Sequence, residues 1–530
     1  MKIMLRAAFF CLLSLGLQAQ YQYRNLNAIA NLQEDALIYS GYPEVHTSVR
    51  PFNRGILDTL SKPSFAKGPG SWLNRKLWHE NLVHIENDDF AFTVDPVVNL
   101  QYGYQEAEDY RFINTRGYNV SGRIGKKLTF KSVFLENQAR FANYMMRYGS
   151  LRRVIPGQSS LLRGFGEGAY DYTYFEGEVS YRPNQFFNFT AGQGRNFFGE
   201  GHRSLLLSDA SFSYPFFRIE TDVWRIKYVN LWAQLYDPRR DAQVTEGVLA
   251  KKYLSSHYLS MNLTKRWNFA IFESIVYGDT TQQQALDVSF LNPVVFYRPV
   301  EFAVGSRNGN ALMGANTAYK FNDGRVAYAQ FVLDEFRISA ILGGEGDWTN
   351  KFGWQIGLKH YNAWGIKGLF QRLEYNAVRP YTYSHRVVLT NYAHYGSPLA
   401  HPWGANFHEL IFQNVYQQGR WEVDFQFTYG LTGNDDTRTN WGADVYQSYE
   451  TRVQDLGNEI AQGNTGNYYY THLRLAYVLN PASGLKVEGG FRYREFEPER
   501  SSRNVPMYQG RDLVFIFGLR TELFNRYYDL

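Results

Sequence analysis

The stretch "WEVDFQFTYG" places Trp421, Val423, Phe425, Phe427 and Tyr429 in one phase and Glu422, Asp424, Gln426 and Thr428 in the other. A period of two over so many residues specifies a β-strand with one apolar and one wet face. The pattern recurs. In "THLRLAYVLNPASGLKVEGGFRYREF", Leu473, Leu475, Tyr477 and Leu479 alternate with His472, Arg474 and Ala476. Beyond a turn at Pro481 to Gly484, Leu485, Val487, Phe491 and Tyr493 alternate with Lys486, Glu488, Arg492 and Arg494. A third hairpin, "YNVSGRIGKKLTFKSVF", turns at Lys126 and Lys127. Further tight turns read at Arg182 to Asn184, Asp222 to Trp224, Thr264 to Arg266, Asn322 to Gly324 and Gln417 to Gly419. Long polar connections run through Asn143 to Gly168, Asp237 to Lys251, Gly278 to Asn292, Val378 to Ala405 and Leu431 to Gly466. Short turns on one side, long loops on the other and strands of about ten residues predict an all-β fold: a transmembrane antiparallel β-barrel of roughly 16 to 20 strands, with about 18 favoured.

A secreted sandwich or propeller also alternates, but here the composition separates the two. The chain holds 41 Tyr, 39 Phe and 11 Trp, while 20% of its residues are charged. Rings in that number supply interfacial girdles and a lipid-facing surface, and the dense charged phase supplies a wet lumen. The last segment, "DLVFIFGLRTELF", holds Leu513, Phe515, Phe517, Leu519 and Leu523 in one phase and reads as a closing strand. Closure leaves no unpaired edge in lipid.

Residues 1–19 read as a signal peptide: Lys2 and Arg6, then the apolar run from Ala7 to Leu17, then Ala19 before Gln20. No later stretch reaches the roughly 18 apolar residues of a spanning helix, so the expected destination is the cell outer membrane, with its lipid as a partner. Cys11 lies in the signal, which leaves no disulfide or thiol chemistry. The formal charge of +5 falls to about +3 once Lys2 and Arg6 are removed, and nucleic acid is not an expected partner. Residues 20–88, with "NRGILDTL" and "WLNRKLWHENL" as short amphipathic helices, read as a periplasmic helical segment or partial plug, and 89–530 as the barrel.

Several motifs fail on chemistry. His79-Glu80 with His84 resembles a zinc-protease helix, but histidines five apart lie about 140° apart on a helix and do not share a metal. His202, Ser204 and Asp209 have the residue types of a hydrolase triad, but a triad is recognised by geometry, and three such residues within eight positions do not establish one. Asp435 and Asp436 in "GNDDTRTN" lack regular calcium-ligand spacing and read as a solvated loop. In "GQGRNFFGEGHRSLLLSD", Phe197 occupies the place of the third glycine of a dinucleotide loop, and no helical period follows. No catalytic residue, metal or cofactor is expected, and the chain reads as a non-enzyme. Gly192, Gly194, Gly199 and Gly201 are expected instead to let strands bend and approach at the rim. Arg195 and Arg203 would then aim inward, where a planar guanidinium suits the carboxylate of an acidic sugar. The competing expectation pairs these arginines with Glu200 or Glu178 of the wall.

The run "GRNFFGEGHRSLLLSDAS", then "YPFF", then "LNPVVFYRPVEFAVGSRNGNALMG", resembles the Wzi-type capsule-assembly outer-membrane barrels and their Bacteroidetes relatives, the gliding-motility protein RemB among them. Gly194-Arg195, Gly199, Gly201, Ser204-Leu205 and Ser208 match the family pattern, while Phe198 stands for its Trp and Glu200 for its Pro. The resemblance implies an eighteen-stranded barrel with a periplasmic helical segment that binds or anchors surface polysaccharide. The residues it nominates are Arg195, Asn196, Arg203 and Asp209 in the first run and Arg298, Glu301, Arg307 and Asn310 in the last. A gliding or adhesion component with envelope-protein partners, and a porin-like channel, are the alternatives.

Overall fold

Strands whose faces differ this sharply bury the wet face only by curling it inward, and the chain does so. The computed structural model describes residues 25–41, 45–52, 69–105, 110–243, 246–278, 286–294, 309–321, 323–335, 343–436, 439–500 and 509–530. Among the described residues, 18 antiparallel strands pair in chain order, and the last closes on the first. They are β1 (Phe90–Gln105), β2 (Tyr110–Ile124), β3 (Leu128–Arg140), β4 (Ala169–Tyr181), β5 (Phe187–Gly194) and β6 (Tyr214–Val223). Next come β7 (Ile226–Asp237), β8 (Ala250–Asn262), β9 (Trp267–Tyr277), β10 (Gly309–Lys320), β11 (Arg325–Glu335) and β12 (Lys351–Tyr361). The circuit ends with β13 (Leu369–Val378), β14 (Phe407–Gln418), β15 (Trp421–Asn434), β16 (Asn464–Asn480), β17 (Leu485–Pro498) and β18 (Gly510–Thr521).

The two phases separate as the alternation requires. Along β15 the acidic and amide residues Glu422, Asp424 and Gln426 are buried in the lumen, while Trp421 is exposed outward. Leu473 and Leu475 of β16, and Phe515 and Phe517 of β18, join that outer surface. Trp224, Trp267, Trp364 and Trp421 stand exposed at or beside the short turns, forming an aromatic girdle.

The lumen is filled from three directions. From the N-terminal side, α1 (Leu32–Gly41) lays Leu32 and Tyr39 against Val326, Tyr361, Phe370 and Val415 of the wall. Val49 and Arg50 then pair with Phe198 and Phe197 of the β5–β6 connection. From the C-terminal side the chain leaves β18 at Thr521 and turns inward, so Leu523 packs in a lumen cluster with Tyr174 and Phe212 instead of continuing the strand as its phase predicts. The two ends meet: the Asn525 N–H donates to the Leu26 carbonyl at 2.8 Å, and the Ala28 N–H to Asn525 Oδ1 at 2.8 Å. The third filler is the β5–β6 connection itself. Its Leu205, Leu206 and Leu207 are fully buried, each worth roughly 2 kcal/mol of apolar transfer.

Outside the lumen, α2 (Trp72–Trp78) begins at Ser71, whose Oγ accepts the Asn74 N–H at 3.4 Å. It docks beneath the β16–β17 turn, where Asn480 Nδ2 donates to the carbonyls of Lys76 and Glu80 at 3.0 Å each. His79 caps this helix, and His84 lies on the strand Val83–Glu86 that pairs with the start of β1. The two histidines therefore share no helix. The signal segment and "NRGILDTL" lie outside the described residues.

Candidate functional site

The glycine-rich stretch forms a buried clamp. Glycine is required where backbones touch: a Cβ on Gly192 would lie 2.2 Å from the Gly177 carbonyl oxygen, and one on Gly201 would lie 2.6 Å from the Arg203 carbonyl oxygen and 2.4 Å from the Glu374 side-chain Oε2. That close approach brings each polar group of the loop against the wall. Arg195 Nε lies 3.1 Å from Glu176 Oε1 of β4, and an Nη donates to the Asp209 carbonyl at 2.9 Å. Arg203 reaches Glu409 of β14 at 3.0 Å and Asp529 of the C-terminal tail at 2.7 Å. Glu200 accepts from Lys359 of β12 at 2.6 Å and from the Tyr39 and Thr47 hydroxyls of the N-terminal segment. Asp209 accepts from Tyr527 at 2.7 Å and Asn525 at 2.9 Å.

Burial alone would raise the Glu200 carboxyl, but Lys359 and Arg50 overcome it and hold it at about 2. Burial likewise opposes ionisation of Asp529, and Arg203 with His202 overrides it, keeping that carboxyl well below the usual range. The clamp is thus a set of charges neutralised in place. It joins the described N-terminal segment, through Tyr39 and Thr47, and the C-terminal tail, through Asp529, to the barrel wall.

The nominated residues sort accordingly. Arg195 and Arg203 are inside the lumen and fully covered, so they do not stand free at an open rim, and their partners are Glu176, Glu409 and Asp529. Glu200 and Glu178 pair instead with Lys359 and with Lys131 of β3. Asn196 accepts from Arg218 of β6 and is buried. Asn310 faces the lumen near the start of β10. Arg298, Glu301 and Arg307 lie outside the described residues. His202, Ser204 and Asp209 spend their polar atoms apart: Ser204 Oγ donates to the Phe198 carbonyl at 2.6 Å, while His202 Nδ1 faces Gln413 Nε2 at 3.2 Å. Asp435 is not a solvated loop residue. It is buried, accepts the Asp444 N–H at 3.0 Å and that of Trp441, and organises the loop after β15.

Above the clamp, on the long-loop side, lies a cleft of about 80 Å³. One wall is α3 (Asn143–Arg152) with Tyr144, Tyr148 and Arg152; another is the β13–β14 connection with Trp403; a third is the loop after β15 with Asp444 and Tyr446. Leu530 and Arg494 form part of its lining. Arg152 pairs with Asp444 at 2.8 Å and lies 5.3 Å above the Tyr446 ring. Tyr148 donates to the Gly396 carbonyl at 3.2 Å, and Trp403 Nε1 to the Asp529 carbonyl at 3.0 Å. Ring faces, a guanidinium and the Asn434 amide thus converge on one space. Sequence reasoning missed this set, although each wall comes from one of the long connections it marked.

No family model and no curated protein matches the chain. Among solved structures it is similar to Wzi of Escherichia coli, an outer membrane protein involved in group 1 capsule assembly and a carbohydrate-binding β-barrel. That likeness has a TM-score of 0.57 at 11% identity and covers 95% of this chain and 100% of that one. The fold is Wzi-like. Weaker likenesses are to OccAB2 of Acinetobacter baumannii (TM-score 0.43, 9% identity, 82% of this chain and 98% of that) and to OprD of Pseudomonas aeruginosa (0.41, 12%, 83% and 95%).

Proposed function

We propose that this protein sits in the outer membrane and binds surface polysaccharide without chemistry, holding it in the long-loop cleft. The observation that carries the reading is the placing of that cleft directly above the Arg203–Glu409–Asp529 cluster, which among the described residues crosses the interior beneath it. A conduit would need an open path, whereas Arg203, Glu409 and Asp529 meet in the interior, and the C-terminal tail is tied there to the N-terminal segment through Asn525 and Ala28. In the cleft, Tyr148 and Trp403 offer faces for the C–H surface of a sugar ring, while Tyr446 backs the Arg152 guanidinium. Arg152 offers a planar fork that can exchange Asp444 for a ligand carboxylate. The Wzi-like fold supports the same reading. Arg298, Glu301 and Arg307 belong to the proposed sugar-contacting set on sequence resemblance, whereas the buried Asn310 belongs to the wall and Arg195, Asn196, Arg203 and Asp209 serve the site by holding the clamp.

The test is binding of polysaccharide, extracted from the same cells, to purified barrel. Tyr148→Ala with Arg152→Ala should weaken it by about tenfold or more while heat-modifiability is kept, since the lost contacts include a charge-assisted pair. Unchanged affinity in the folded double variant would sink the proposal.

A further inference from the structure

The half of the lumen toward the short turns encloses a second cavity, of about 120 Å³. Asn27 to Leu32 of the N-terminal segment and Asn525 to Asp529 of the tail border it, and β13 to β18 wall it. Its arginines fall into two groups. Arg474 is ion-paired with Glu422, Asp424, Glu488 and Glu522, and Arg520 with Glu488 and Glu522. Arg372 differs: it is 3% exposed, lines the cavity, and among the described residues has no carboxylate at ion-pair distance. One Nη donates to Gln413 Oε1 at 3.0 Å, while Nε has no hydrogen-bond partner. Arg492 and Arg526 line the same space and likewise form no ion pair among the described residues, with Arg492 lying 3.5 Å over the Tyr528 ring.

A buried cation without an anion is costly, and the lining's five arginines outnumber its four carboxylates, Asp424, Glu488, Glu522 and Asp529, by one, with the guanidinium groups unpaired among the described residues at Arg372, Arg492 and Arg526. Gln413, Gln426 and Asn525 add amide groups to the lining, and Tyr527 and Tyr528 add ring faces. We infer that this inner cavity binds an oxyanion, a carboxylate or phosphate carried on a small molecule or chain end that enters from the short-turn side. The site lies across the clamp from the outer cleft and does not depend on what the cleft binds.

Titration calorimetry on the folded barrel in neutral detergent tests this, with glucuronate, inorganic phosphate and short-chain phosphatidylglycerol as probes. The wild type should bind at least one of them. Tightest binding of glucuronate assigns the site to a sugar acid, of phosphatidylglycerol to a lipid headgroup, and of phosphate to the free ion. Arg372→Gln should weaken that binding about tenfold or more, and Arg372→Lys, which keeps the charge but not the fork, by less. The inference is overturned if none of the three binds below about 20 mM, or if heat-modifiable Arg372→Gln binds as the wild type does. Should Arg372→Gln not fold, Arg492→Gln takes its place under the same two criteria.

Discussion

Arg203 Nη2 lies 2.7 Å from Asp529 Oδ2, joining the loop after β5 to the penultimate residue of the chain. The same guanidinium bonds Glu409 of β14 at 3.0 Å, and His401 and Asn376 bond the other oxygen of that carboxylate at 2.7 and 2.9 Å. Removing one partner strands a buried charge. Arg203→Ala or Asp529→Ala should therefore destabilise the barrel by about 3–5 kcal/mol, read as a lower urea midpoint in detergent. Arg325→Ala, which breaks the exposed Arg325–Asp323 pair in a short turn, should leave the midpoint within error. Equal midpoints for all three variants would contradict the clamp.

The Glu200 carboxyl, held at about 2 against an ordinary 4.5, links stability to pH. Its folded value is depressed, so its contribution is complete above about pH 4.5 and fades as pH falls toward 2. A shift of this size corresponds to about 3 kcal/mol. Wild type should thus lose more stability across that window than Glu200→Gln, although the variant is weaker at neutral pH. Parallel acid profiles would remove Glu200 from the account.

Close backbone approach predicts a contrast between two glycines. A Cβ at Gly201 would lie 2.6 Å from the Arg203 carbonyl oxygen as well as against Glu374, whereas one at Gly164 meets nothing within 4 Å. Gly201→Ala should cost about 1–3 kcal/mol in the same urea assay, and Gly164→Ala about 0.5 or less. A neutral Gly201→Ala would mean that the loop does not press on the wall.

The strands were legible because lipid and lumen impose opposite polarity on alternate residues, and a hairpin such as β14–β15 carries that signal within some thirty consecutive positions. The clamp was not legible. Its loop carries Arg195, Gly199, Glu200, Gly201 and Arg203, residues that suit a solvated rim, and nothing local marks these charges as buried. Their partners, Glu176, Lys359, Glu409 and Asp529, come from four distant places that only barrel closure brings together. The inward tail was hidden for a related reason: Leu523 keeps the phase of β18 but lies beyond its last pair.

A filled lumen also predicts electrical silence. Reconstituted in a planar bilayer, the protein should show no steady conductance of the size an open barrel of this circumference passes. Stable large openings would favour a channel over a binder.

The most direct test of polysaccharide retention is the amount of polysaccharide that remains bound to cells lacking the gene when they are complemented with wild type or with Tyr148→Ala/Arg152→Ala. Both proteins should reach the outer-membrane fraction at equal, heat-modifiable levels. Wild type should restore cell-bound polysaccharide, and the cleft variant should release most of it into the medium. Equal retention by the two, or no loss on deletion, would contradict the account.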